Sequence, residues 1–106
     1  MEFLNQIELK GIIQGVRTIN IGKLKSSTFA LRTEQAYKSD DSSAYVDVTW
    51  FKCSAFEGKE ISNLGDLKDG MAVHVVGRMK NERYMDSEGN EKTLYAVICR
   101  TLEIIK

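Results

Sequence analysis

Aromatic and basic side chains alternate along residues 45–59, a stretch that holds the only tryptophan of the chain. Read with the two-residue period of a β-strand, Trp50, Lys52 and Phe56 share one face. The opposite face is apolar enough for a core and carries Phe51, Cys53 and Ala55. Two exposed rings with a cation between them suit unpaired nucleic acid, because bases stack on rings and phosphates are neutralised by cations.

A second alternating run, residues 71–84, repeats this pattern. Its outward side chains are predicted to be Arg78, Lys80 and Tyr84, while Val73, Val75, Gly77 and Met79 point inward. If a barrel brings the two runs together, they form one wall of rings and cations, and Tyr37 at the end of the second strand extends it. The alternative is that these rings pack against a neighbouring loop, helix or subunit.

Residue types that could support catalysis are scarce. His74 is the only histidine and has no nucleophile at a motif spacing. Cys53 and Cys99 lie in separate strand-like runs, so we expect buried apolar thiols rather than zinc ligands or a redox pair. Asp40 and Asp41 lack the further ligands of a calcium or magnesium site. We therefore predict that the chain is not an enzyme and has no catalytic residue, metal or cofactor.

Length and composition fit a small globular protein. The 106 residues suffice for one domain, which we expect to span residues 1–106, and hydrophobic residues make up 42% of them. Fifteen basic and fifteen acidic residues give zero net charge, so only the placement of individual cations can support nucleic-acid binding. No run is apolar enough to span a membrane and no secretory signal is present, so we expect a cytoplasmic protein without membrane association.

The elements that must position these side chains are five strands and one short helix. Residues 5–21 predict a first strand that bends at Gly11 and Gly15, followed by a turn at 22–27. The remaining predictions are strands at 28–38, 45–57, 71–84 and 92–105, a polar loop at 39–43, a helix at 58–67 and a hairpin turn at 86–90. One helix between the third and fourth of five strands is typical of the OB-fold, so we predict an all-β, five-stranded Greek-key barrel.

With these motifs in place, the chain resembles the bacterial single-stranded DNA-binding proteins over nearly its whole length. The similar segments are residues 5–11, the strand from Thr49 to Lys59, the turn and strand at 67–77, and the aromatic and hairpin at 83–89. The resemblance implies an OB-fold that binds single-stranded DNA without sequence preference, as a homotetramer, with no metal or cofactor. It also implies stacking by Tyr37, Trp50, Phe56 and Tyr84, and basic contacts from Lys52 and Lys80.

Three departures from the family pattern bear on function. Phe51 stands where many members have a histidine linked to subunit contacts, which affects the expected tetramer geometry. Glu82 stands where a basic residue is expected, which favours weaker or more salt-sensitive binding. The sequence ends at Lys106 without the acidic-hydrophobic tip of family members, so we do not expect tail-mediated recruitment of replication and repair enzymes.

The main hypothesis is therefore a protein that coats and protects unpaired DNA in replication, recombination or repair. Its predicted contacts are Tyr37, Trp50, Lys52, Phe56, Arg78, Lys80 and Tyr84. Its expected partners are single-stranded DNA and further copies of the chain, with a tetramer favoured over a dimer. Two alternatives stay open: a primosomal-type OB protein that acts mainly as a protein-interaction module, and an RNA-binding OB domain.

Overall fold

Five long strands form a closed barrel in the part of the chain that the computed structural model describes, residues 1–41 and 43–106. They are β1 (Ile7–Ile21), β2 (Leu24–Lys38), β3 (Ala44–Phe56), β4 (Ala72–Met85) and β5 (Glu91–Ile105). The barrel closes in the order β1-β2-β3-β5-β4, with one parallel pairing between β3 and β5. The predicted all-β OB-fold is confirmed. The predicted loop at 39–43 includes Ser42, which lies outside the described residues.

β1 belongs to both halves of the barrel because it bends. Its first half pairs with β4 and its second half with β2. A bulge between Gln14 and Arg17, with Gly15 at a φ of 64°, marks the bend. At Gly11 the backbones of β1 and β2 approach so closely that a Cβ would collide with the carbonyl oxygen of Arg32. The curved first strand predicted from the two glycines is confirmed.

The barrel interior is filled by the inward residues of the alternating runs. Its apolar core is formed by Leu9, Ile13, Phe29, Leu31, Cys53, Ala55, Ile61, Leu64, Leu67, Val73, Val75, Val97, Cys99 and Leu102. Both cysteines are buried free thiols, as expected. The hydrogen bond with the Cys99 thiol, together with burial, raises the pKa of Cys53 above its ordinary value. A thiol that stays protonated behaves as a small apolar residue.

The turn between β1 and β2 is shorter than predicted. It is confined to Gly22 and Lys23, and Gly22 takes a φ of 64°. Ser26 and Ser27 lie in β2 and are buried, and the Ser27 hydroxyl is 2.7 Å from that of Thr18. Their polar composition predicted a turn, but hydroxyl groups that satisfy each other are tolerated within a strand.

The segment predicted as a helix at 58–67 contains only a single 3-10 turn, Leu64–Asp66. Ile61, Leu64 and Leu67 are buried as expected, but a three-residue spacing also fits the 3-10 period. Asn63 makes no cap and donates its side-chain amide to the Leu102 carbonyl oxygen instead. Among the described residues, no helix is long and apolar enough to cross a membrane.

Two hairpins project beyond the barrel. β2 and β3 stay paired as far as Lys38 and Ala44, although β3 pairs with β5 only at Cys53 and Ser54. β4 and β5 stay paired out to the Asp86–Asn90 turn, well past the end of the pairing between β1 and β4. We call the projecting parts the β2–β3 arm, residues 33–38 and 44–49, and the β4–β5 arm, residues 80–85 and 91–95.

Candidate nucleic-acid interface

Strand register determines which side chains share the outer surface of the barrel. Directly paired residues of neighbouring strands lie on one face of a sheet, and the faces alternate along each strand. On β3 the buried reference residue is Cys53, and on β4 it is Gly77, which pairs with buried Cys99. Counting from these positions, six of the seven predicted site residues point outward: Trp50, Lys52, Phe56, Arg78, Lys80 and Tyr84. We call these six residues the outer wall.

The rings of the outer wall are accessible. Trp50 is 53% exposed, Phe56 54% and Tyr84 45%. Rings that were packed under a loop or helix of the same chain would lose most of this exposure, so the described residues do not support that alternative. Three half-exposed aromatic side chains on the outer surface of one small barrel are available to a ligand or partner.

Lys52 and Glu82 bring β3 and β4 together at the outer wall. The Lys52 Nζ lies 2.8 Å from a Glu82 carboxylate oxygen, and both side chains are partly exposed. The two strands are not paired, since β5 lies between them. On β5 the residue opposite Lys80 is Ala96, whose small side chain is buried beneath this surface. The ion pair therefore shows that the outward side chains of β3 and β4 reach each other across β5, and that the acidic departure at Glu82 contacts one of the cations.

The two other cations of the outer wall have no carboxylate partner within the described residues. Neither Arg78 nor Lys80 belongs to any of the ion pairs formed by residues 1–41 and 43–106. Arg78 also lines a hollow of about 300 Å³ together with Arg100 and Ile98. Two guanidinium groups at one hollow suit a phosphate group, because the planar fork of arginine matches two phosphate oxygens.

Tyr37 does not extend the outer wall. It pairs with Tyr45 across the β2–β3 arm, and both follow the alternation of the core residues Leu31 and Cys53. The two tyrosine rings stack with their centroids 5.4 Å apart. The prediction that Tyr37 shares a surface with Trp50 is corrected by this register, because Trp50 lies on the opposite face of the arm. Its role as a DNA contact stays a prediction.

Two further cations point outward beside the outer wall and were not selected from the sequence. Arg32 pairs directly with Trp50, and Arg17 pairs with Thr28, whose other neighbour is Ser54 of β3. Arg17 became visible only with the structure, since the bulge in β1 changes the alternation that a regular strand would give it. Arg32 could have been found by pairing the alternating runs of the second and third strands.

A groove lies between β3 and the β4–β5 arm, lined by residues of both the outward and the inward alternation. Its volume is about 430 Å³, and we call it the Trp50 groove after the largest side chain that lines it. It is lined by Gly15, Ala30, Trp50, Lys52, Leu94 and Tyr95, among others. Tyr95 is 66% exposed although it follows the inward alternation of β5, and it was not among the residues selected from the sequence.

The described residues contain no group of three or more histidine, cysteine or acidic side chains that could hold a metal ion. His74 lies on the outer surface, where its Nε2 is 2.6 Å from a Glu8 carboxylate oxygen. This contact joins β1 to β4, two strands that are paired at these positions. His74 therefore has a partner that links two strands of the barrel.

A comparison with profiles of known protein families assigns the chain to one family. A profile of the single-strand binding protein family matches residues 4–105, so the chain is a member of that family. The resemblance seen in the sequence motifs is confirmed by this match. A sequence comparison with curated proteins gave no significant match.

Solved structures of similar fold come from distant relatives. A Plasmodium falciparum single-strand binding protein in complex with single-stranded DNA superposes with a TM-score of 0.79 at 18% identity, over 100% of this chain and 98% of that one. A small single-stranded DNA-binding protein from Streptomyces coelicolor gives 0.72 at 18% identity, over 97% and 96%. A deletion mutant of the single-stranded DNA binding protein from Thermus aquaticus gives 0.75 at 16% identity; this chain is covered over 97% but spans only 51% of that one.

Proposed function

We propose that this member of the single-strand binding protein family binds single-stranded DNA without sequence preference along its outer wall. The observation that carries the proposal is the interleaving of three accessible rings with Lys52, Arg78 and Lys80 on one face. Family membership and the fold shared with proteins that bind single-stranded DNA support it.

Binding on this surface combines two physical contributions. Each base stacked on an aromatic ring contributes about 1–3 kcal/mol and tolerates any sequence, because every base has a ring face. Each phosphate neutralised by a cation releases condensed counterions, so the affinity falls as the salt concentration rises. Arg17, Arg32 and Arg100 supply additional positive charge beside the six residues of the outer wall. Neither contribution involves a metal, a cofactor or a chemical step.

We propose further that the protein coats and protects unpaired DNA during replication, recombination or repair, as a cytoplasmic homo-oligomer in which a tetramer is favoured. Self-association is supported by apolar side chains exposed away from the outer wall. At the tip of the β1–β2 hairpin, Ile19, Ile21 and Leu24 are each more than half exposed. The single-domain organisation over residues 1–106 belongs to the same proposal.

Trp50 gives a direct test because it is the only tryptophan and belongs to the outer wall. We would titrate the protein with oligodeoxythymidylate at low and high salt and record its emission. The expected result is quenching at low salt and weaker binding at high salt. Unchanged emission together with no complex by gel filtration would overturn the proposal. Titration with oligouridylate distinguishes DNA from RNA, since the rings themselves do not select deoxyribose.

A further inference from the structure

The bulge in β1 decides the direction in which Arg17 points. Inward and outward residues alternate along a strand, so counting from buried Ile13 would turn Arg17 toward the core. Between Gln14 and Arg17, however, the pairing advances three residues on β1 and only two on β2. Val16 consequently packs against the core, and Arg17 pairs with exposed Thr28. The positive charge reaches the outer surface because the bulge is present.

Arg17 lies beside the outer wall. Thr28, its partner on β2, pairs in turn with Ser54 of β3. Ser54 lies between Lys52 and Phe56 on the outward face, since side chains two residues apart on a strand share a face. Arg17 is two strand spacings, about 10 Å, from the β3 backbone in this row. Its long side chain can therefore reach a phosphate of a DNA strand bound along Lys52 and Phe56.

Asp69 holds the bulge from outside the strand. One of its carboxylate oxygens accepts a hydrogen bond from the main-chain N–H of Val16, with an N···O distance of 2.9 Å. The turn that carries Asp69 is itself attached to β1. The Gly70 N–H donates to the Ile13 carbonyl oxygen at 2.8 Å, and the Ile13 N–H donates to the Met71 carbonyl oxygen at 3.0 Å. These three hydrogen bonds fix the turn to β1 at the bulge, where the regular ladder is interrupted.

We propose that Asp69 is a positioning residue for DNA binding, which keeps Arg17 on the outer surface as a phosphate contact by holding the bulge. The inference rests on the proposed function and adds Arg17 and Asp69 to it. Asp69 acts through Arg17 and not by contact with DNA. A carboxylate near a DNA-binding surface ordinarily weakens binding, because it repels phosphates. A positioning role therefore reverses the effect expected when the carboxylate is removed.

The experiment measures binding of Asp69→Ala and Asp69→Asn to fluorescently labelled oligodeoxythymidylate over a range of salt concentrations. Asp69→Ala removes the acceptor of the Val16 N–H, so binding at low salt should weaken by about 1.5- to 5-fold. The slope of log affinity against log salt should fall by about 0.7, the contribution of one phosphate contact. Asp69→Asn keeps an amide oxygen as acceptor and should bind at least as tightly as the wild type.

Asp66→Ala is the matched control, because it removes the same charge from the exposed 3-10 turn three residues earlier. It should not weaken binding. Arg17→Ala should show the same loss of slope as Asp69→Ala. The double variant should bind at least as tightly as Arg17→Ala alone, because the contact that Asp69 supports is already lost. A loss of stability alone would change neither the slope nor this additivity.

A wild-type slope in Arg17→Ala, or in Asp69→Ala, would overturn the positioning role and leave the proposed function standing. Equal losses of affinity in Asp69→Ala and Asp69→Asn would also overturn it, because only the first removes the acceptor. The same holds if Asp69→Ala does not fold, since Asp69 would then serve the stability of the barrel. If the wild type itself does not bind, the proposed function is wrong as well.

Discussion

Glu82 is the one carboxylate placed among the cations of the outer wall. Its contact with Lys52 uses a positive charge that a phosphate would otherwise approach. An exposed ion pair contributes only about 0.2–1 kcal/mol, so DNA can displace it at a small cost. Glu82 therefore lowers the affinity without blocking the surface.

Replacing this carboxylate should strengthen binding. Glu82→Gln is expected to raise the affinity for oligodeoxythymidylate by up to about fivefold, because Lys52 no longer has to leave a charged partner. The dependence of log affinity on log salt should also become steeper, by about 0.7 for one more phosphate contact. Glu91→Gln is the control, since Glu91 forms a 3.5 Å ion pair with Arg83 away from the outer wall. Equal gains in affinity for Glu82→Gln and Glu91→Gln would show that binding depends on the net charge and not on the position of the carboxylate.

The buried thiols lie directly beneath this surface. Cys53 is fully buried between Lys52 and Ser54, and its pKa is raised by the hydrogen bond with Cys99 and by burial. Alkylation by iodoacetamide requires an accessible thiolate. We expect Cys53 to stay unmodified in the folded protein near neutral pH and to react fully in denaturant, as measured by mass spectrometry. Rapid modification without denaturant would contradict the burial of β3 in the barrel.

At the scale of elements, the outer wall depends on the bend of β1. The bulge and Gly15 allow β1 to pair with β4 first and with β2 afterwards, which closes the barrel. Closure holds β3, β5 and β4 side by side and so brings Lys52 next to Glu82. The two arms then extend the outer surface beyond the barrel.

The two glycines of β1 should differ in their tolerance of a side chain. Gly15→Ala is expected to cost about 1–2 kcal/mol of folding stability, because its positive φ is unfavourable for other residues although space is available. Gly11→Ala should cost more, about 3 kcal/mol, since its Cβ would collide with the backbone of β2. Urea denaturation of both variants measures the difference. A smaller loss at Gly11 would contradict the close approach of β1 and β2.

Most elements could be predicted from the sequence because alternation is a local signal. The inward sets at Phe29 and Leu31, and at Val73 and Val75, fall on the core as predicted. The prediction of a helix at 58–67 was wrong because three apolar residues at a spacing of three fit a 3-10 turn equally well. The predicted start of β2 was wrong because the hydrogen-bond partner of Ser27 is Thr18, which lies on β1 and could not be paired with it from the sequence.

The site was predicted less completely, for reasons of register rather than composition. Alternation within one strand was enough to group Trp50 with Lys52, and Arg78 with Lys80. It could not place Tyr37 relative to Trp50, because that requires the pairing between β2 and β3. Arg17 was missed because the bulge in β1 changes the alternation that a regular strand would give it.

At the scale of the whole molecule, a neutral chain carries a positive surface. Five cations lie on the outward faces around Trp50, Lys52 and Ser54, and two of them have a carboxylate partner. The cations are Arg17, Arg32, Lys52, Arg78 and Lys80, and the carboxylates are Glu34 beside Arg32 and Glu82 beside Lys52. The formal net charge of zero therefore reflects acidic groups placed elsewhere, and it does not oppose binding to phosphates on this surface.

The most direct test of the outer wall is the affinity of Trp50→Ala for oligonucleotides of thymine, cytosine and adenine, measured by the anisotropy of a labelled strand. Ile105→Ala is the control, since Ile105 is 43% exposed against 53% for Trp50 and lies at the end of β5, where it pairs with Ala72 rather than with the outer wall. We predict a loss of about 5- to 150-fold for Trp50→Ala with all three bases, and an unchanged melting temperature. Wild-type affinity in Trp50→Ala, or loss of its folded structure, would contradict a stacking role for the outer wall.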